Sequence, residues 1–132
     1  MPDAASKRDI DARDCITAIQ VSDVARSRAW YSRLLGRAPD LEPFGNQEWK
    51  IAGGWISLQK GEPKASPWQL HVEVRDVQRE HERVTTAGIP VTAVQTEPGE
   101  LSFFTVNDPD NYTLLLFQVL SKNPKITGAR KD

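Results

Sequence analysis

The same four-part phrase occurs twice in this chain, and that duplication constrains the fold more than any other feature. Ile16-Thr17-Ala18-Ile19-Gln20-Val21 is a short β-prone run followed by Ser22-Asp23-Val24. Leu70-His71-Val72-Glu73-Val74 alternates apolar and polar before Arg75-Asp76-Val77. Alternation at a period of two marks a strand with one buried face. Each Asp is then placed to cap a helix, its carboxylate accepting from the free amides of the first turn. A helical stripe follows: Val24, Trp30, Tyr31, Leu34 and Leu35 in the first copy, and the weaker Val77, Val84 and Ala87 in the second. Gly36 and Gly88 end the stripes, and the two Asp-to-Gly intervals differ by one residue. Glycine there accepts the left-handed geometry that closes a helix.

Short β-prone pieces complete each copy. The first set is Leu41 to Phe44, Glu48 to Ala52 and Trp55 to Gln59, broken by Gly45-Asn46 and Gly53-Gly54. The second is Val91 to Gln95, Leu101 to Val106 and Tyr112 to Val119, broken by Glu97-Pro98-Gly99 and Asp108-Pro109-Asp110-Asn111. Such punctuation separates neighbouring strands. The order predicts an α+β protein of two βαβββ modules, about 15–60 and 68–120, within one domain spanning 15–120. A connector from Gly61 to Pro67 joins them, and polar tails at 1–14 and 121–132 are expected to be mobile.

Length and charge narrow the function. A chain of 132 residues suits one domain with one core. Net charge is −1 with Lys and Arg dispersed, which argues against a nucleic-acid partner. No apolar run approaches the roughly 20 residues that a membrane helix needs, and Met1 to Asp14 lacks the hydrophobic stretch of a secretory signal. The lone cysteine, Cys15, fits a reducing compartment, so a cytoplasmic location is expected. It reads as a small buried residue more readily than as a nucleophile.

The run Val21-Ser22-Asp23-Val24-Ala25-Arg26-Ser27-Arg28-Ala29-Trp30-Tyr31-Ser32-Arg33-Leu34-Leu35-Gly36 resembles the opening of vicinal oxygen chelate proteins, the glyoxalase/bleomycin-resistance group, V-x-D-x-x-x-S-x-x-[FW]-Y-x-x-x-L-G. Asp108-Pro109-Asp110-Asn111-Tyr112 resembles their D-P-[DE]-G-[NY] turn, with Asn in place of Gly. Asn is the mildest such replacement, because it also tolerates left-handed backbone. The resemblance runs from about Ile16 to Gln118. It implies curved mixed sheets around an open cleft, commonly in a homodimer. The activities it brings are diverse: isomerisation, ring-cleaving dioxygenation, epimerisation, thiol transfer and plain antibiotic binding.

Metal-dependent members of that group carry His, Glu or Gln on the cleft face of four strands. Seven residues before Asp23 stands Ile16, and seven before Asp76 stands Gln69. The middle of the fourth strand falls on Ser57, and five residues after Asp110 comes Leu115. Ile16 and Leu115 have no donor atom, and Ser57 and Gln69 are weak neutral ones. No metal and no cofactor is therefore expected.

Strand parity extends the reading to the rest of the cleft. Gln20 joins Ile16 and Ala18. Trp55, Ser57 and Gln59 share one face, Gln69, His71 and Glu73 another, and Thr113, Leu115 and Phe117 a third. Thr17, Leu70, Val72 and Val74 should pack under the helices. An aromatic wall with a few fixed polar groups is the usual make-up of a small-molecule site.

His71 and Glu73, two apart on a strand, point the same way and are candidates for an acid–base pair. The alternative is a solvated or interfacial pair. Trp30 belongs to the helical stripe and to the core, while Trp49 and Trp68 are expected near the mouth or a dimer seam. The leading expectation is a metal-independent homodimer binding a small organic ligand, an antibiotic or aromatic metabolite, through Trp55, Phe117, Leu115 and the Gln20, Ser57, Gln59 and Gln69 group. An isomerase or lyase using His71 and Glu73 is the first alternative. A structural dimer with a vestigial cleft is the second.

Overall fold

The computed structural model describes residues 9–64 and 69–122, Gln69 by its backbone alone. The first module is β1 (Ile16–Val21), α1 (Val24–Leu35), β2 (Gln47–Ile51) and β3 (Gly54–Lys60). The second is β4 (Gln69–Glu73), α2 (Val77–Thr86), β5 (Gln95–Glu97), β6 (Leu101–Asn107) and β7 (Thr113–Val119). The sheets run β1-β3-β2 and β4-β7-β6-β5. In both, the first strand lies parallel to the last, and the remaining neighbours are antiparallel. The repeat in the sequence is thus a repeat in topology.

Both helices start as their capping residues dictate. Asp23 accepts from the Arg26 amide at 3.0 Å and Asp76 from the Arg79 amide at 3.1 Å. Gly36 closes α1 with φ of 82°, its N–H donating to the Ser32 carbonyl at 2.9 Å. The end of α2 differs from expectation. Ala87 is its cap in ordinary right-handed geometry, and Gly88, with φ of 84°, follows one residue later.

Two expected strands are also corrected. Leu41 to Phe44 forms one bridge, Leu41 to Glu48, and then a 3-10 turn over Pro43–Gly45. Pro43 has no N–H to give a ladder, and Phe44 turns back with φ of 55°. Val91 to Gln95 is mostly irregular, and β5 begins only at Gln95. Thr92 lies beside β6 nonetheless, its N–H donating to the Thr105 carbonyl at 3.1 Å and its hydroxyl accepting from the Thr105 amide at 2.8 Å.

Ile19, Val21, Trp30, Tyr31, Leu34, Trp49, Ile56 and Leu58 of the first module join Val77, Val84, Phe104, Val106, Leu114 and Leu116 of the second in one core. Trp49 corrects its expected place at the mouth. It is fully buried, and its indole N–H donates to the Arg37 carbonyl at 2.9 Å. Parity explains this, since Trp49 pairs with core-facing Ile56. Trp68 lies outside the described residues.

The two motifs that carried the resemblance clamp the modules together. The Tyr31 phenol donates to buried Asp108 at 2.7 Å. The other carboxylate oxygen of Asp108 accepts from the Asp110 and Tyr112 amides at 2.9 and 2.8 Å. Asp110 in turn accepts from the Ser22 amide at 3.0 Å and pairs with Arg26 at 3.2 Å. Asn111 takes the left-handed turn position, φ 69°. Burial pushes the Asp108 carboxyl above its ordinary value of 3.8, against the lowering effect of its hydrogen bonds. Burial also drives the Tyr31 phenol far above the ordinary tyrosine value, aided by the Asp108 charge, so it stays a neutral donor.

The helix ends are held reciprocally. Arg83 of α2 donates to the Leu34 carbonyl of α1 at 2.6 Å, and Arg33 of α1 donates to the Ala87 carbonyl at 3.3 Å. Each last turn thus receives a cation, which suits the negative end of a helix dipole.

Candidate functional site

β1 and β4 each form one edge of their sheets, with β2 and β5 at the opposite edges. Near the end of β1 the modules are pinned: the Tyr112 phenol donates to the Gln20 carbonyl at 3.0 Å and accepts from the Lys64 amide at 2.7 Å. Toward the start of β1 there is a cavity of about 1060 Å³, bounded by Cys15 and Thr17, by the β2–β3 hairpin and by β4. Trp55, His71 and Glu73 all stand on its wall.

The hairpin presents Trp55 for local reasons. Ala52 turns the chain with φ of 50°, and Gly54 lets the strand approach β1 closely, since a Cβ there would meet the Cys15 carbonyl oxygen at 3.2 Å. The Trp55 amide donates to that same carbonyl at 2.9 Å. Its indole N–H donates to Asp14 at 2.6 Å, and the second carboxylate oxygen of Asp14 accepts from the Cys15 amide at 3.1 Å. Sequence reasoning missed Asp14, which it placed in a tail; no local pattern links an Asp to a Trp forty-one residues away.

The other expected site residues are dispersed. Ser57 is fully buried, and Gln59 donates to its hydroxyl at 3.2 Å. Gln20 borders a separate small cavity of about 190 Å³ with Lys64 and Tyr112, and its side chain packs on Gly61. Leu115 and Phe117 are half-buried on β7, in register with His71 and Glu73 of β4. Phe103 and Thr105 of β6 continue those two rows. The Gln69 backbone opens β4 opposite Thr113, and its side chain lies outside the described structure.

Parity sorts the side chains of β1, β4 and β7, but it fails at Ser57 of β3, which is buried between buried Ile56 and Leu58, and it does not delimit the cavity. Thr17, Leu70, Val72 and Val74, expected beneath the helices, line it as well. Consecutive residues Leu70 to Glu73 of the edge strand β4 border the gap, so both of its faces contribute, whereas β1 contributes Thr17 alone. Cys15 also departs from expectation: it is exposed and lies on the cavity wall.

Of the four positions that the resemblance assigns to metal ligands, the three with described side chains do not fit a cation. Ile16 and Leu115 are hydrocarbon, and the Ser57 hydroxyl is buried under Gln59. Among the described residues, no three His, Cys, Asp or Glu side chains stand together as a metal site. No helix among them is long and apolar enough to cross a membrane.

A family model described as a glyoxalase-like domain matches residues 16–117, from the start of β1 into β7. The chain belongs to the glyoxalase-like family. It is therefore a vicinal oxygen chelate protein, as its two motifs imply. Solved structures share the fold. A glyoxalase/bleomycin resistance protein from Catenulispora acidiphila DSM 44928 is similar with a TM-score of 0.71 at 20% identity, covering 82% of this chain and 99% of its own. A glyoxalase/bleomycin resistance protein/dioxygenase from Nocardioides gives 0.70 at 15% identity, with 86% and 87% covered. TioX from Micromonospora sp. ML1 gives 0.64 at 21%, with 78% and 93% covered. At these identities the likeness is one of fold. Among curated proteins none matches the chain significantly.

Proposed function

We propose that this glyoxalase-like protein binds a small, partly aromatic molecule without a metal, and that capture is its activity. The observation that carries the reading is the cavity of about 1060 Å³ with Trp55 on its wall. That volume lies at the upper end of the roughly 300–1,000 Å³ of small-molecule sites. Thr17, Ile56, Leu70 and Val72 stand on the same wall. Hydrocarbon side chains at Ile16 and Leu115 support the absence of metal chemistry, because neither offers a lone pair. The structural neighbours named as bleomycin resistance proteins agree with sequestration of an antibiotic or an aromatic metabolite. Binding in a homodimer and a cytoplasmic location belong to the same proposal.

Native mass spectrometry of the freshly purified protein reports stoichiometry, metal content and any retained adduct together. A metal-free species carrying an organic adduct is expected. A tightly held divalent cation would overturn the reading. With 1-anilinonaphthalene-8-sulfonate as a flat aromatic probe, Trp55→Ala should abolish binding, while Glu73→Gln should do less.

A second reading has its own support, because His71 and Glu73 both line the cavity. In that reading they transfer a proton in an isomerase or lyase reaction. It predicts that His71→Ala keeps binding and loses turnover. Retained turnover in that variant would remove it.

A further inference from the structure

We propose that Asp14 is a positioning residue for the cavity, fixing the Trp55 ring in the orientation that a flat ligand meets; this rests on the binding role proposed for Trp55. A tryptophan on an open wall has two side-chain torsions to lose when a ligand stacks on it, and that loss opposes binding. Here the loss is already met in the free protein. The indole N–H is engaged by a carboxylate oxygen at 2.6 Å, a charge-assisted bond. The carboxylate is itself held, because its other oxygen takes the Cys15 amide at 3.1 Å.

The backbone completes the device. The Cys15 carbonyl accepts from the Trp55 amide at 2.9 Å, so Asp14-Cys15 and Trp55 are joined by both side chain and main chain. Gly54 makes this closeness possible, with the Cys15 oxygen 3.2 Å from where a Cβ would sit. Asp14 therefore acts through Trp55, and the indole's only polar atom is occupied by a group that does not itself line the cavity. What remains for a ligand is the ring face and its apolar edge.

The test has one arm without a ligand. The difference in fluorescence between the parent protein and Trp55→Phe isolates the Trp55 signal from the other three tryptophans. In Asp14→Ala that signal should lose anisotropy and become more open to acrylamide quenching, while Asp14→Asn, which keeps one acceptor oxygen, restores part of both. A merely structural role for Asp14 would not move these two properties at Trp55 while thermal unfolding stays unchanged. The second arm uses 1-anilinonaphthalene-8-sulfonate, whose affinity should fall about five-fold in Asp14→Ala, the worth of one hydrogen bond, with no further fall when Trp55→Phe is already present. Unaltered anisotropy and quenching of Trp55 would overturn the proposal, as would an equal affinity loss in the Trp55→Phe background. If the parent protein does not bind the probe at all, the binding role of Trp55 fails instead, and the fluorescence arm alone judges the positioning of the ring.

Discussion

Asp108 carries more of this molecule than its length suggests, because one carboxylate satisfies the Tyr31 phenol and two turn amides. Its folded value is raised by burial, so the folded chain takes up this proton more readily than the unfolded one. The contribution to stability is therefore fullest below the unfolded value and is lost as pH rises through the folded one. Asp108→Asn cannot titrate, so its unfolding free energy should be flatter against pH across that window than the parent's. Tyr31→Phe should cost about 1–3 kcal/mol at neutral pH in urea unfolding, by leaving a buried acceptor short of a donor. That cost should shrink in acid, where the carboxyl is protonated. At Asn111 the φ of 69° predicts that Asn111→Gly is close to neutral and Asn111→Ala is destabilising by about 1 kcal/mol. This residue was legible in the sequence, since Asn in a D-P-D-x turn points to left-handed backbone. The burial of Trp49 was not, because its core-facing direction depends on which residue of β3 it meets.

The helices and their caps were the most readable elements. Asp23 and Asp76 do what their spacing indicates, each accepting from the amide three residues on. Removing either as Ala should cost about 1 kcal/mol, and nearly the same amount for both, measured by chemical unfolding. Gly36→Ala should cost a similar amount through its backbone alone. The nearest atom to a new Cβ is Arg83 Nη1 at an ordinary 3.5 Å, so strain at φ 82° and not collision sets the penalty. The short strands were less readable. Leu41 to Phe44 has the apolar content of a strand but a proline where a ladder needs a donor. Thr92 shows the converse, lying beside β6 without the repeated pairing that defines a strand.

At the scale of the whole molecule, the duplication and the family motifs revealed the fold, and the structural neighbours share it. The cavity was legible only in part. Trp55, His71 and Glu73 reach its wall, whereas Ser57 and Gln20 lie elsewhere. Periodicity gives the face a side chain takes, but not which strand edges will border the same gap or how far they part. That is a property of how the modules dock, through contacts as far apart in sequence as Gln20 and Tyr112. The arginines exchanged between the helix ends follow from the same docking. They make the two last turns fray as one: opening either releases the guanidinium that closes the other. Amide hydrogen exchange in the last turn of α1 should therefore quicken in Arg83→Leu, and that of α2 in Arg33→Leu, so the duplicated halves keep time with each other.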